Sequence, residues 1–311
     1  MTLYPAPILV NGATHPAEVF RMLVRDLSLG SEGITQGDDL KVTQLSTPGG
    51  SVQISDGSGI VRGRANPFQG SYSACNVGSA TVTIAPTAGS PRSDMVILRI
   101  EDPQYEGTRN PAVDPIAYFQ VISNVSSSAT AIPDGRTGIP LARIDIPAST
   151  ATITDAMIKD VRKVANPRRE RTLWTQSPAS PSTAISGTSG TYSYFTTAAG
   201  WNIPIPSWAS VAKIRFDIGG LRLSSGAVYG DISATFGASL AIQAVSVDDS
   251  QTSGRRYAHL MGDTLTIPSA YRGTTQLLRA RGRCFVGNAA TMLVDTGSTL
   301  IADVTFEEAP R

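Results

Sequence analysis

The sequence predicts a mainly β chain of two domains: an N-terminal β-rich domain with one amphipathic helix, and a C-terminal antiparallel β-sandwich, jelly-roll-like in texture. Three observations predict it. The 311 residues exceed what one ordinary core encloses. Twenty-nine glycines and 20 prolines cut the chain into short runs. Within those runs apolar and polar residues alternate with period two, as half-buried strands require, and no strand–helix–strand rhythm of a parallel sheet appears. At 41% hydrophobic and 16% charged residues the composition is that of a globular chain.

The one long helix is expected at about residues 16–28. Val19, Phe20, Leu23, Val24 and Leu27 recur there at helical spacing, while Glu18, Arg21, Arg25 and Asp26 fill the other face. Pro16 suits its first turn and Gly30 its exit. Its apolar stripe should pack on the first domain or on a neighbouring subunit. Strands follow at LKVTQL, SVQIS, GIVRG, TVTIAP, DMVILRIED, IAYFQVI and LARIDIP. Met95 to Leu98 is apolar without alternation, which suits a central strand covered on both faces. The GSGIVRG segment, Gly57 to Gly63, has GxGxxxG spacing and strand-like residues after it, so it reads as a tight β-turn and not a nucleotide loop. Thr154-Asp155 before AMIKDVRKV is expected to start a short helix.

Residues 159–171, KDVRKVANPRRER, hold six basic and two acidic side chains in a chain whose net charge is only +1. With Pro167 and a Ser/Thr/Pro-rich stretch beyond, this places a basic linker at 166–171, between domains 1–165 and 172–311. A solvated hinge or a subunit contact is the better reading of it than a nucleic-acid contact, because no aromatics are interleaved. In the second domain VAKIRFDI sets Ala212, Ile214, Phe216 and Ile218 on one face, and TLIADVTFE does the same with Leu300, Ala302, Val304 and Phe306. With DISATF, LAIQAVSV, TLTIP and TQLLRARG between them, the strand count suits a compact sandwich.

Little in the sequence points to catalysis. His15 and His259 fall in different domains, and no GxSxG elbow frames a serine. HExxH, CxxC and EF-hand spacings are missing, and the acid pairs Asp38-Asp39 and Asp248-Asp249 read as solvated loops. Cys75 and Cys284 are expected to be small buried fillers. No catalytic residue, metal ligand or cofactor is therefore expected. The opening MTLYPAPILVNG lacks the character of a signal peptide and no apolar run approaches ~20 residues, so synthesis in a cytoplasm without membrane insertion is expected. All three tryptophans lie beyond residue 172. Packing is the plainer role for them, and Trp201 with Asn202 is the candidate glycan contact.

Residues 18–165 resemble the N-terminal domain of minor tail or baseplate (tail-tip) proteins of long-tailed phages, especially those infecting actinobacteria. The resemblance rests on EVFRMLVRDLSLGSEGI, on LKVTQLSTPGGSVQISDGSGIVRG, and on NPFQGSYSACN with its Gln-Gly-x-Tyr. It continues through SPRSDMVILRIED with Arg92, Asp94 and Asp102, and IPLARIDIPASTATITDAMIKDVR with Leu141-Ala142-Arg143. Ser93 departs from the pattern, where an apolar residue is common. Residues 172–311 are similar to C-terminal modules of the same proteins only in texture.

The resemblance implies a structural part of a bacteriophage virion, made in the bacterial host, that contacts other phage tail proteins. It also implies assembly as a symmetric oligomer and carries over no catalytic residue. Because a small β-domain and a helix with apolar edges gain by burying them on copies of themselves, a homotrimer is expected in preference to a sixfold ring. The first domain is expected to anchor and oligomerise while the second projects outward. The alternatives are a module binding host surface glycan and, behind it, an enzyme acting on cell-wall material.

Overall fold

The computed structural model describes residues 16–311, so His15 and the opening segment lie outside the described residues. The chain is mainly β and divides into two compact units, Met1–Pro167 with Ala309–Arg311, and Arg168–Glu308.

In the first unit α1 spans Ala17–Leu27, one residue inside the expected bounds at each end. It stops where Leu29 and Gly30 turn left-handed (φ 53° and 70°) and the Gly30 amide donates to the Arg25 carbonyl at 2.8 Å. Strands β1 (Gly33–Ile34), β4 (Gly57–Arg62) and β5 (Ser71–Asn76) form one sheet; β2 (Val42–Gln44), β3 (Ser51–Ile54) and β6 (Ala80–Thr83) form a second. The third, in the order β10-β9-β7-β8, is built from β7 (Arg92–Ile100), β8 (Ala117–Val125), β9 (Gly138–Ile146) and β10 (Ile158–Asp160). The central place of β7 accounts for its unbroken apolar run: Met95, Val96 and Ile97 are all fully buried. α1 packs on β5 and on the 3-10 turn Pro67–Gln69.

Two expected elements of this unit come out differently. The GSGIVR segment is strand β4 itself and not a turn, and its first residue, Gly57 (φ 136°), lies where a Cβ would stand 2.6 Å from the Asp39 Cα. The segment after Thr154 makes only a 3-10 turn, Asp155–Met157, before entering the sheet as β10. Its would-be cap is drawn away: the Asp155 carboxylate accepts from the Gln44 amide at 2.7 Å, and the Asp155 amide donates to Gln44 Oε1 at 3.0 Å. Nine residues make a marginal helix, whereas Ile158 gains a partner, Ile144, on an existing sheet edge.

In the second unit β11 (Arg169–Gln176), β20 (Thr299–Glu307), β14 (Val211–Leu223) and β17 (Arg255–Thr266) form one antiparallel sheet in that order. The other runs β18 (Thr275–Cys284), β15 (Val228–Phe236), β16 (Leu240–Asp249), with β12 (Ser193–Tyr194) and β13 (Trp201–Pro204) sharing the free edge of β18. The short β19 (Met292–Leu293) extends the first sheet beside β14. With β12 and β13 counted as one interrupted strand, this is the strand order of an eight-stranded jelly roll. Phe216, Phe236 and Phe195 fill the space between the sheets.

The expected linker is a correction. Residues 169–171 open β11 and pair with β20, and the arginines of 168–171 meet acids from the other end of the chain: Arg171 reaches Asp303 at 2.6 Å and Arg168 reaches Glu308 at 2.7 Å. Residues 309–311 belong to the first unit, where Arg311 pairs with Asp38 at 2.8 Å.

Candidate functional site

Of the residues that the tail-protein resemblance singles out, Gln69, Tyr72 and Asp102 meet in the first unit in a polar strut beneath α1. The Tyr72 hydroxyl donates to Asp102 Oδ2 at 2.8 Å and accepts from Gln69 Nε2 at 3.2 Å. Gln69 Oε1 accepts from the Ala65 amide at 2.8 Å. Arg21 of α1 closes the cluster, donating from Nε to the Gln69 carbonyl at 2.9 Å and approaching Asp102 at 3.4 Å. Its guanidinium also lies 5.5 Å from the Tyr72 ring and 5.3 Å from the Tyr105 ring. Burial raises the Tyr72 phenol far above its usual value; Gln69 opposes this and Asp102 adds to it. The hydroxyl thus stays protonated, a donor to Asp102 and not a base.

Arg92 and Asp94 form a second strut at the start of β7. The carboxylate, fully buried, takes Arg92 Nε at 2.7 Å, Arg92 Nη2 at 2.8 Å and the Asn124 amide at 3.0 Å. Both struts satisfy their own donors and acceptors, and what they do is fix α1 and β8 against the sheets.

Outside these struts the expected site residues stay apart. His259 sits inside the jelly roll on β17, its Nε2 buried without a hydrogen-bond partner, and burial holds its pKa below the ordinary histidine value. Trp201 is a correction: its ring packs on Phe216 at 5.5 Å and its Nε1 donates to the Thr175 carbonyl at 3.3 Å, so it belongs to the core. Asn202, next along β13, is exposed on the opposite side, and the two form no common contact surface. Asp249 is held by Arg255 at 2.9 Å and Asp39 caps the Gln36 amide at 3.0 Å. Cys284 is buried, but Cys75 is exposed on β5, contrary to expectation, because it falls on the outward side of the alternation. Among the described residues no group of three or more His, Cys, Asp or Glu is placed to hold a metal ion.

The exit of α1 borders a cleft of about 770 Å³ lined by Arg25, Arg62, Arg64, Leu29, Asn66 and Pro67. Arg25 donates to the Pro67 carbonyl at 3.1 Å and Arg64 meets Glu32 at 2.6 Å. Around it Leu29 and Phe68 are 86% and 71% exposed. Sequence reading missed both: Leu29 falls past the helical stripe, and Phe68 sits in a turn that no periodicity marks.

No protein-family model matches the chain, and no curated protein matches it. Among solved structures the chain is similar to the infectious bursal disease virus Gx strain structure, at 13% identity over 93% of this chain and 86% of that one, TM-score 0.25. It is also similar to the VP2 subviral particle of the same virus, at 11% identity over 94% and 86%, TM-score 0.25. A Bacillus thuringiensis Cry1Da tryptic core variant follows at 10% identity over 98% and 57%, TM-score 0.16. Likenesses this distant carry nothing across about role.

Proposed function

We propose that the chain is a structural component of a bacteriophage virion, at the tail tip or baseplate. There, copies assemble as a symmetric oligomer and link the tail to host-facing parts, without a catalytic step. The observation that carries this reading is the face at the exit of α1. Leu29 stands in water among the three arginines of the cleft, Phe68 stands in water next to its lining residue Pro67, and covering such side chains is worth roughly 1.5–3 kcal/mol each. Aromatic and arginine side chains around an apolar centre are the composition of interface cores. Residues 1–158 carry 14 acids against 10 bases, so a neighbouring copy offers surface of the complementary sign. A contact between such unlike patches is head-to-tail, and closes as a ring of three, the arrangement we favour, or of six. The block-by-block resemblance to tail-tip proteins supports the same reading, since its residues serve as struts.

Light scattering over rising concentration tests it. A mass of three chains is expected, reduced to one chain in Leu29→Asp and Phe68→Asp variants of unchanged circular dichroism. A monodisperse wild-type monomer at high concentration would overturn assembly, and a C-terminal label found away from the tail tip in virion images would overturn the location.

A further inference from the structure

Arg279, Arg281 and Arg283 leave β18 on one side, because alternate residues of a strand share a face, and Ala280 and Cys284 between and beyond them are buried. Tyr192 and Tyr194, from a distant segment, and Phe285, just past the end of β18, lie over these guanidinium groups. Arg281 stands 4.1 Å from the Tyr192 ring, and Arg283 stands 4.4 Å from Tyr192 and 4.8 Å from Phe285. Arg279 stands 4.7 Å from Tyr194, and Tyr229 of β15 meets Phe285 at 5.4 Å. The strip runs roughly 20 Å at ~3.3 Å per residue.

The three arginines differ in what meets their charge. Arg283 donates to both oxygens of Asp231 at 2.9–3.1 Å. Arg279 reaches only neutral carbonyls, Ala198 at 3.3 Å and Phe195 at 3.5 Å. Arg281 has a buried Nε with no hydrogen-bond partner, and among the described ion pairs it has no carboxylate. The acids on this face are Asp231, already held, and Asp248 of β16, opposite Tyr229. Arg281 is only half-buried, so its guanidinium keeps a charge that no described carboxylate neutralises and that an anionic acceptor from outside can meet.

We infer that this face of the jelly roll binds an acidic polysaccharide, a uronate carboxylate accepting from Arg281 while the sugar rings lie along Tyr192, Tyr194 and Tyr229. The planar fork of a guanidinium matches a carboxylate, and tyrosines offer both an apolar edge and a hydroxyl. A single-stranded nucleic acid fits less well. It brings a charge with every nucleotide and needs ring faces to stack on, whereas here the faces carry guanidinium groups and one arginine of the three is already ion-paired. The inference is independent of how the chain assembles.

Titration calorimetry of the full chain with polygalacturonate at moderate salt tests it, with neutral dextran as the blank. Binding is expected for polygalacturonate alone. Arg281→Ala weakens it roughly tenfold or more, the range of a lost charge-assisted hydrogen bond. Tyr194→Ala, at a ring 40% exposed, weakens it several-fold. Arg215→Ala, the same charge change on the outer face of the other sheet, leaves it unchanged. The inference is overturned by absent binding, by an Arg281→Ala effect within twofold, or by an equal loss in Arg215→Ala. Tighter binding of polyphosphate or oligothymidylate than of polygalacturonate would also overturn it.

Discussion

Replacing Asp94 with alanine removes the acceptor of three hydrogen bonds, two from Arg92 and one from the Asn124 amide. Removing one partner of a buried ion pair costs about 3–5 kcal/mol, because the other charge is left without compensation. Here the lower end applies. The Arg92 side chain is 22% exposed and already donates to the Ala85 carbonyl at 2.6 Å, so part of its charge rehydrates. The Asn124 amide has less recourse. It sits at a left-handed residue (φ 60°) beside the bulge where the pairing of β7 with β8 shifts between Ser93 and Met95. A loss of about 3 kcal/mol follows. In a unit of this size each kcal/mol moves the melting midpoint by roughly 2–4 °C, so a fall of about 6–12 °C is expected. The assay separates the units, because Trp174, Trp201 and Trp208 all belong to the second. Tryptophan fluorescence should melt as in wild type while the far-ultraviolet dichroism of the first unit melts early. In the double variant Arg92→Ala/Asp94→Ala the losses should fall short of additive by about 1 kcal/mol or more. A shift below about 3 °C, or strict additivity, would refute the assignment of Asp94 as the strut that holds β8.

Two further outcomes follow from burial. His259 is kept neutral by the fold, its pKa below that of the unfolded chain, so its contribution to stability is constant above about pH 6.5 and is lost as pH falls below it, by at most ~1.4 kcal/mol per pH unit. The urea midpoint read by tryptophan fluorescence should therefore drop between about pH 7.5 and pH 5 in wild type and less in His259→Leu; equal drops would contradict the burial argument. Of the two thiols, exposed Cys75 should react with a thiol dye in the native protein, whereas Cys284, buried and with its thiol pushed up by that burial, should react only on unfolding. Simultaneous reaction of both would place Cys284 elsewhere.

Where strand faces are defined by neighbours in sequence, the fold could be read directly. Ala212, Ile214, Phe216 and Ile218 line the core as their period-two spacing requires, and the apolar run of β7 is buried because two strands flank it. The failures lie where a distant partner decides. The run Arg168 to Arg171 looks like solvated linker because the acids that neutralise it, Asp303, Glu307 and Glu308, come more than 130 residues later. Asp155 looks like a helix cap because nothing local reveals that Gln44 claims its carboxylate. The Trp201-Asn202 pairing could have been rejected from the alternation alone, since neighbours on a strand face opposite ways and a tryptophan beside an exposed asparagine points inward.

The arginine strip was half legible for the same reason. LLRARGRCF spaces Arg279, Arg281 and Arg283 two apart, so a strand there must present three guanidinium groups on one side. Three like charges so aligned repel, and such a face persists only if something offsets them. One offset is Asp231 on Arg283, and the other is the negative face of Tyr192 and Tyr194, delivered by a segment more than 80 residues earlier. Those rings screen the repulsion without neutralising it, which leaves Arg281 charged, in place and without an acid. An ion pair would have consumed that charge; aromatic support preserves it for an anion that arrives from outside.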